Sequence, residues 1–187
     1  MEALTNVFTA FGLSSAAGLN AYLPLLIVAL TAKFTDLIVL NEPWDVLTSW
    51  WVIGVLAVLL VIEMTADKIP AVDTANDVIN TALRPAAGAI LFAASSGVVG
   101  DMHPVLALIC GLLVAGGVHA VKATARPVIT ATTAGTGNWL VSIAEDVVSF
   151  VTTLLAILVP ILLALMLILV ALALLWWWSR RRTRFAG

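Results

Sequence analysis

Charge is scarce in this sequence. Nine Lys and Arg and eleven Asp and Glu make up 11% of 187 residues, against about 25% in a typical soluble domain. Hydrophobic residues reach 62% and the mean hydropathy is +1.11, where a soluble domain carries about 45–50% apolar residues. A sphere of this size cannot hide that much apolar surface from water. The scarcity argues against a soluble globular domain, a disordered chain and a nucleic-acid partner. It leaves an integral membrane protein whose first partner is the lipid bilayer. The single cysteine, Cys110, excludes an intrachain disulfide and reads as a small buried hydrophobe. No basic residue precedes the first apolar stretch, MEALTNVFTAFGLSS, so no cleaved secretory signal is expected.

What is present is a series of charge-free runs: 3–32, 46–62, 85–100, 102–121 (one His), 127–144 and 147–179. A crossing helix needs about 20 apolar residues, and β-barrel strands would alternate polar with apolar. The expected fold class is an all-α integral membrane protein with about six transmembrane helices. It forms one polytopic domain over 1–187, with a core over 1–148 and a final span and tail over 149–187. The tail places Arg180, Arg181, Arg182 and Arg184 just after Trp176, Trp177 and Trp178, a cytoplasmic end by the positive-inside rule. Six crossings then make both termini cytoplasmic, with Lys68, Arg84, Lys122 and Arg126 on the same side. The acidic loop of Asp36, Glu42 and Asp45 falls outside, as do Asp101 and His103. The last run is too long for a straight crossing, and Pro160 near its middle is the expected kink.

Two runs have an unusual texture. Gly12, Ser14, Ser15, Gly18, Asn20 and Pro24 interrupt the first, and Thr132, Thr133, Gly135, Gly137 and Asn138 the fifth. Close helix packing through small residues explains such stretches. So does a broken helix whose freed backbone lines a site; both readings stand open here. The two stretches align loosely, Asn20 with Asn138. Arg84-Pro85 pairs likewise with Arg126-Pro127, each expected to open a span, so the chain carries a weak parallel repeat.

The charges away from the tail gather into stripes. At helical spacing Glu63 and Asp67 share one face, and so do Asp73 and Asp77. If one helix runs on through Pro70, then Glu63, Asp67, Asp73, Asp77, Asn80 and Arg84 share an arc of about 140°, with Lys68 off it. His119, Lys122 and Arg126 form a basic face on the helix leaving the fourth run. Asn138, Ser142 and Glu145 form a third stripe, with Asp146 beside it, expected towards the outer end of the fifth run. Like carboxylates in a low dielectric need cations or basic partners. The stripes are therefore either an ion-pair network locking helices or the walls of an ion or solute site. Carboxylates suit hard cations, and with only His119 nearby a transition-metal site is poorly supported. No cofactor is expected.

Soluble-enzyme motifs are absent: no phosphate-binding loop, no Gly-x-Ser-x-Gly, no His-Glu-x-x-His. Arg84-Pro85 and Ser95-Ser96-Gly97 match fragments of a lipid-phosphate phosphatase signature, but Val98 stands where its histidine should follow. Asp67, Asp73 and Asp77 suggest aspartate-rich lipid transferases, whose Asp-Gly and Ala-Arg elements are missing. The protein is therefore not expected to be an enzyme.

Several of these motifs together resemble a family of small bacterial membrane proteins, DUF4126. They are the run from Glu63 through Asp67, Lys68 and Pro70 to Asp73, Arg84-Pro85-x-x-Gly88, Gly18-Leu-Asn20-Ala-Tyr-Leu-Pro24, His119-x-x-Lys122-x-x-x-Arg126, and Glu145-Asp146. The resemblance spans about 11–148, with Asn80 where the family is expected to carry histidine. It implies a bacterial inner-membrane setting and points to the same charged residues, without an activity. The expectation is a small transporter or channel for an ion or small solute. Glu63, Asp67, Asp73 and Asp77 would form one wall, His119, Lys122 and Arg126 the other, with Asn20 and Asn138 at helix breaks. Small size and glycine-rich faces suggest a homo-oligomer. A structural or assembly protein held by ion pairs, and a lipid-acting enzyme, are the alternatives.

Overall fold

The structure, a computed structural model, describes residues 2–66, 70–95, 102–134, 136–158, 166 and 168–173. Among these residues there are six α-helices: α1 (Glu2–Leu19), α2 (Tyr22–Phe34), α3 (Trp50–Ala66), α4 (Pro70–Ala94), α5 (Pro104–Thr133) and α6 (Asn138–Leu158). A short 3-10 helix, Trp44–Thr48, precedes α3, and there is no strand. The all-α expectation holds for the described residues.

The first apolar run is broken. Helix α1 ends at Leu19, and the Asn20 side-chain oxygen accepts the Leu23 backbone N–H at 2.9 Å, which satisfies an orphan donor at the start of α2. The chain then reverses. Asn6 and Thr9 near the start of α1 line the same cavity as Leu37, Ile38 and Leu40 beyond the end of α2. Ordering along the other helices agrees: α1 runs antiparallel to α6, through Thr9 to Ala156, Ser149 to Ala16 and Asn20 to Asp146. It also runs antiparallel to α4, through Phe11 to Phe92 and Ser14 to Gly88. So the run expected to make one crossing is a helical hairpin with Asn20 at its tip. The N-terminal end of α1 lies with the acidic loop, not across from it.

The other boundaries also shift. Pro85 and Pro127 sit inside α4 and α5 rather than opening helices. These two helices run antiparallel, through Phe92 to Gly111 and Arg84 to His119, so the Arg-Pro pairs are not a parallel repeat. Neighbouring helices and side chains can satisfy the backbone groups that an internal proline frees. The fourth run and the start of the fifth are one helix, α5. Its break comes at Ala134, held at φ 50°, and α6 begins at Asn138 and carries on to Leu158. Glu63 on α3 and Arg84 on α4 are 21 residues apart in sequence yet in contact, so they belong to different helices rather than to one stripe. The hairpins α1–α2 and α5–α6 point their tips the same way, which keeps the parallel sense of the other repeat. Pro160 and the Trp and Arg tail lie outside the described residues.

Packing is close where side chains are small. A Cβ on Gly18 would lie 2.6 Å from the Ala115 carbonyl and from Val118 Cβ, so α1 and α5 meet backbone to side chain. Gly88 and Gly111 do the same for α4 and α5, each facing the other's carbonyl. Small residues at helix contacts are what packing in lipid favours.

The distribution of polarity is inverted relative to a soluble protein. Glu63, Arg84, Lys122, Arg126 and Asp146 are buried, while Trp50, Trp51, Val55, Val58, Val61 and Ile62 of α3 are exposed. Helices α5 and α6 are long and apolar enough to cross a membrane, and the apolar stretches of α2, α3 and α4 are shorter. An apolar exterior around a charged interior associates the chain with lipid.

Candidate functional site

Charged side chains from four helices converge near the tip of the α1–α2 hairpin. On α5, His119, Lys122 and Arg126 fall on one face at helical spacing, and all three are buried. From α4 comes Arg84, fully buried, and from the end of α3 comes Glu63, 1% exposed. The first turns of α6 add Glu145 and Asp146. That is three carboxylates and three permanent cations among the described residues.

The contacts divide into three groups. In the first, Arg84 donates from Nε and Nη2 to Glu63 Oε1, at 3.3 and 3.1 Å. Its Nη1 lies 3.2 Å from His119 Nδ1, and His119 Nε2 lies 3.3 Å from the Thr81 hydroxyl. Arginine has no acceptor, so Nδ1 must accept and the proton sits on Nε2, donated to Thr81. This bond requires a neutral imidazole.

In the second, Glu145 Oε2 takes Lys122 at 2.8 Å and Arg126 at 3.0 Å. Lys122 Nζ also donates to the Leu19 carbonyl at 3.2 Å. It thus neutralises one of the orphan carbonyls that end α1, where the helix dipole favours a cation.

In the third, Asn20 donates to Asp146 Oδ1 at 2.9 Å while its own oxygen caps α2. The amide can do both because it carries two donors and an acceptor. Two further buried polar atoms, Asn80 Nδ2 and Ser142 Oγ, have no hydrogen-bond partner among the described residues. Buried groups of this kind cost free energy unless something satisfies them.

His119, Lys122 and Arg126 lie on one buried face of α5, and Asn20 lies between α1 and α2, so of the two readings of the first run the structure shows a break. Among the described residues Glu63 meets Arg84, a residue expected beside it, while His119 meets Arg84, and Lys122 and Arg126 meet Glu145 of α6. Glu145, expected near the outer end, joins the same cluster as Lys122 because α5 continues past it and α6 turns back. Asn138 opens α6 and accepts from Thr130 Oγ1 at 3.1 Å. Asp67 and Lys68 lie outside the described residues, and so do the side chains of Asp73 and Asp77. Among the described residues no group of three His, Cys, Asp or Glu is placed to hold a metal ion.

Sequence reasoning gave Asp146 no place in the site, and gave none to Thr81 or the Leu19 carbonyl. A signal for Asp146 exists: Asn138, Ser142, Asp146, Ser149 and Thr153 recur at helical spacing, and all five are buried. Glu145 drew the stripe one residue off this face. Main-chain acceptors such as Leu19 leave no trace in side-chain patterns.

No curated protein and no solved structure matches this chain. A family match runs over residues 7–181 and so takes in most of the final apolar run as well as the charged helices. The chain belongs to the family described as Domain of unknown function (DUF4126).

Proposed function

We propose that this protein is a small transporter of the bacterial inner membrane that passes an ion or small solute through the charged cluster at the hairpin tip. The observation that supports this most is the burial of Glu63, Arg84, Lys122, Arg126 and Asp146 at the tip of a broken helix. Ionisable groups inside a membrane are costly and concentrate at pathways, and broken helices line the sites of many transporters. Placing the basic residues inward by the positive-inside rule makes the Ala66–Pro70 end cytoplasmic. The acidic loop and the start of α1 then face outward. If the final run crosses once more, the arginine tail returns to the cytoplasm, giving seven crossings with the hairpin counted as two. No enzymatic step and no cofactor form part of this reading. A homo-oligomer, packed through the exposed apolar face of α3, does.

The test is flux into proteoliposomes across a panel of monovalent ions, protons and small charged solutes. Purified wild type should carry one of them, and Glu63→Gln and Asp146→Asn should reduce that flux at least tenfold. Unchanged flux in both variants sinks the proposal.

A second reading has its own support. The charges described within the cluster balance, three against three, and most are already paired, which suits a scaffold whose ion pairs lock helices in register. A charge swap separates the two. Exchanging Glu63 with Arg84 preserves a lock but disturbs a pathway, so folding would survive and flux would fall only if the protein transports.

A further inference from the structure

The charged cluster needs a way in from each side if it lies on a transport route, and only one end of that route has been described. The opposite end of the bundle holds a cavity of about 210 Å³ between the arms of the α1–α2 hairpin. That is room for about seven waters at ~30 Å³ each. It is walled by α1, α2, α4 and α6, and the loop residues Leu37, Ile38 and Leu40 stand at its rim.

Its floor is formed by Leu13, Val28 and Leu91, which are 2%, 1% and 0% exposed. Leu13 and Val28 lie seven and eight residues from Asn20, about 10–12 Å along the two arms at 1.5 Å per residue. Between this floor and the cluster stand Ala17, Ala21, Leu25 and Ala87, all buried in the same apolar cluster as Leu13, Val28 and Leu91. The packing between cavity and cluster is therefore apolar, and three of those four side chains are a single methyl.

Three polar residues, Asn6, Thr9 and Ser95, line the upper part of the cavity, and two of them bond to backbone. The Thr9 hydroxyl donates to the Ala156 carbonyl at 3.0 Å, and the Ser95 hydroxyl to Leu91 at 2.8 Å. The floor, by contrast, is formed of apolar side chains alone. Apolar constrictions of this kind gate by excluding water.

Resting on the transport reading above, we infer that this cavity is the outward vestibule of the route and that Leu13, Val28 and Leu91 are its gate. The gate is closed in this structure.

Cysteine accessibility tests this without a known substrate. In a Cys110→Ser background, single cysteines replace Thr9, Ala17 and Thr132. Right-side-out and inverted membrane vesicles are then treated with a membrane-impermeant methanethiosulfonate. Thr9→Cys should label from the outside, and Thr132→Cys, exposed beyond the cluster on α5, only from the inside. Ala17→Cys, behind the gate, should label from outside at least tenfold more slowly than Thr9→Cys. Adding Leu13→Ala with Val28→Ala should raise its labelling at least tenfold. Equal labelling of Thr9→Cys and Ala17→Cys overturns the inference. So does labelling indifferent to the gate in a variant that still elutes as a single folded species. Gate-dependent labelling with no flux in any assay removes the transport reading and leaves the gate. Flux that needs Glu63 but ignores the gate removes this inference alone.

Discussion

Asn20 and Asp146 are 126 residues apart, yet the Asn20 amide donates to Asp146 Oδ1 at 2.9 Å while its oxygen holds the Leu23 N–H at the same distance. One side chain thereby turns the α1–α2 hairpin and ties its tip to the start of α6. The bend and the charged cluster are a single structural unit, so variants at Asn20 should affect both.

Asn20→Ala removes the cap and one bond to Asp146, a loss of about 2 kcal/mol. Asn20→Asp can still cap α2 but sets a second carboxylate against Asp146. The expected order of thermal stability in detergent is wild type, then Asn20→Ala, then Asn20→Asp. An aspartate variant as stable as wild type would contradict the contact.

Arg84 and Glu63 form a buried pair, 0% and 1% exposed. Breaking such a pair from one side costs about 3–5 kcal/mol, while replacing both partners by apolar groups of similar volume is often neutral. Arg84→Met alone should therefore destabilise strongly, and Arg84→Met with Glu63→Leu should recover much of the loss. Thermal unfolding of the two singles and the double gives the coupling directly.

The Arg84–His119 bond needs a neutral ring. His119→Gln keeps a neutral acceptor near Arg84 and should lower stability by no more than about 1–2 kcal/mol. His119→Lys sets a cation against Arg84 and Lys122 and should prevent the bundle from forming. Expression level and monodispersity in detergent distinguish them; a well-behaved lysine variant would contradict the need for an uncharged group beside Arg84.

Gly88 and Gly111 sit where α4 and α5 nearly touch, and an added Cβ at either collides with backbone. Gly88→Val and Gly111→Val should each cost about 1–3 kcal/mol or more through overpacking. Gly54, with nothing within 4 Å of an added Cβ, is the control. Gly54→Ala should be neutral or slightly stabilising, since alanine is the better helix former.

Much of the charged site was legible because helical spacing is a local rule. His119, Lys122 and Arg126 share a face whatever they pack against, and the small polar residues before Asn20 mark a place where an apolar helix falters. The sequence misled at Pro85 and Pro127, since proline allows both a helix start and a tolerated interior position. Glu145 was assigned to the far side because the turn after Thr133 was put in the wrong place.

A set of short motifs pointed to the family, and composition and helical spacing by themselves pointed to a membrane-associated, all-α chain and to the faces on which its charges lie. Those follow from transfer free energy and helical geometry, which act residue by residue. Tertiary structure decided that Asn20 reverses the chain, that Glu63 meets Arg84, and that Lys122 and Arg126 share Glu145. Ion-pair partners depend on which helices stand side by side, and in this bundle that is set by close contacts at Gly18, Gly88 and Gly111.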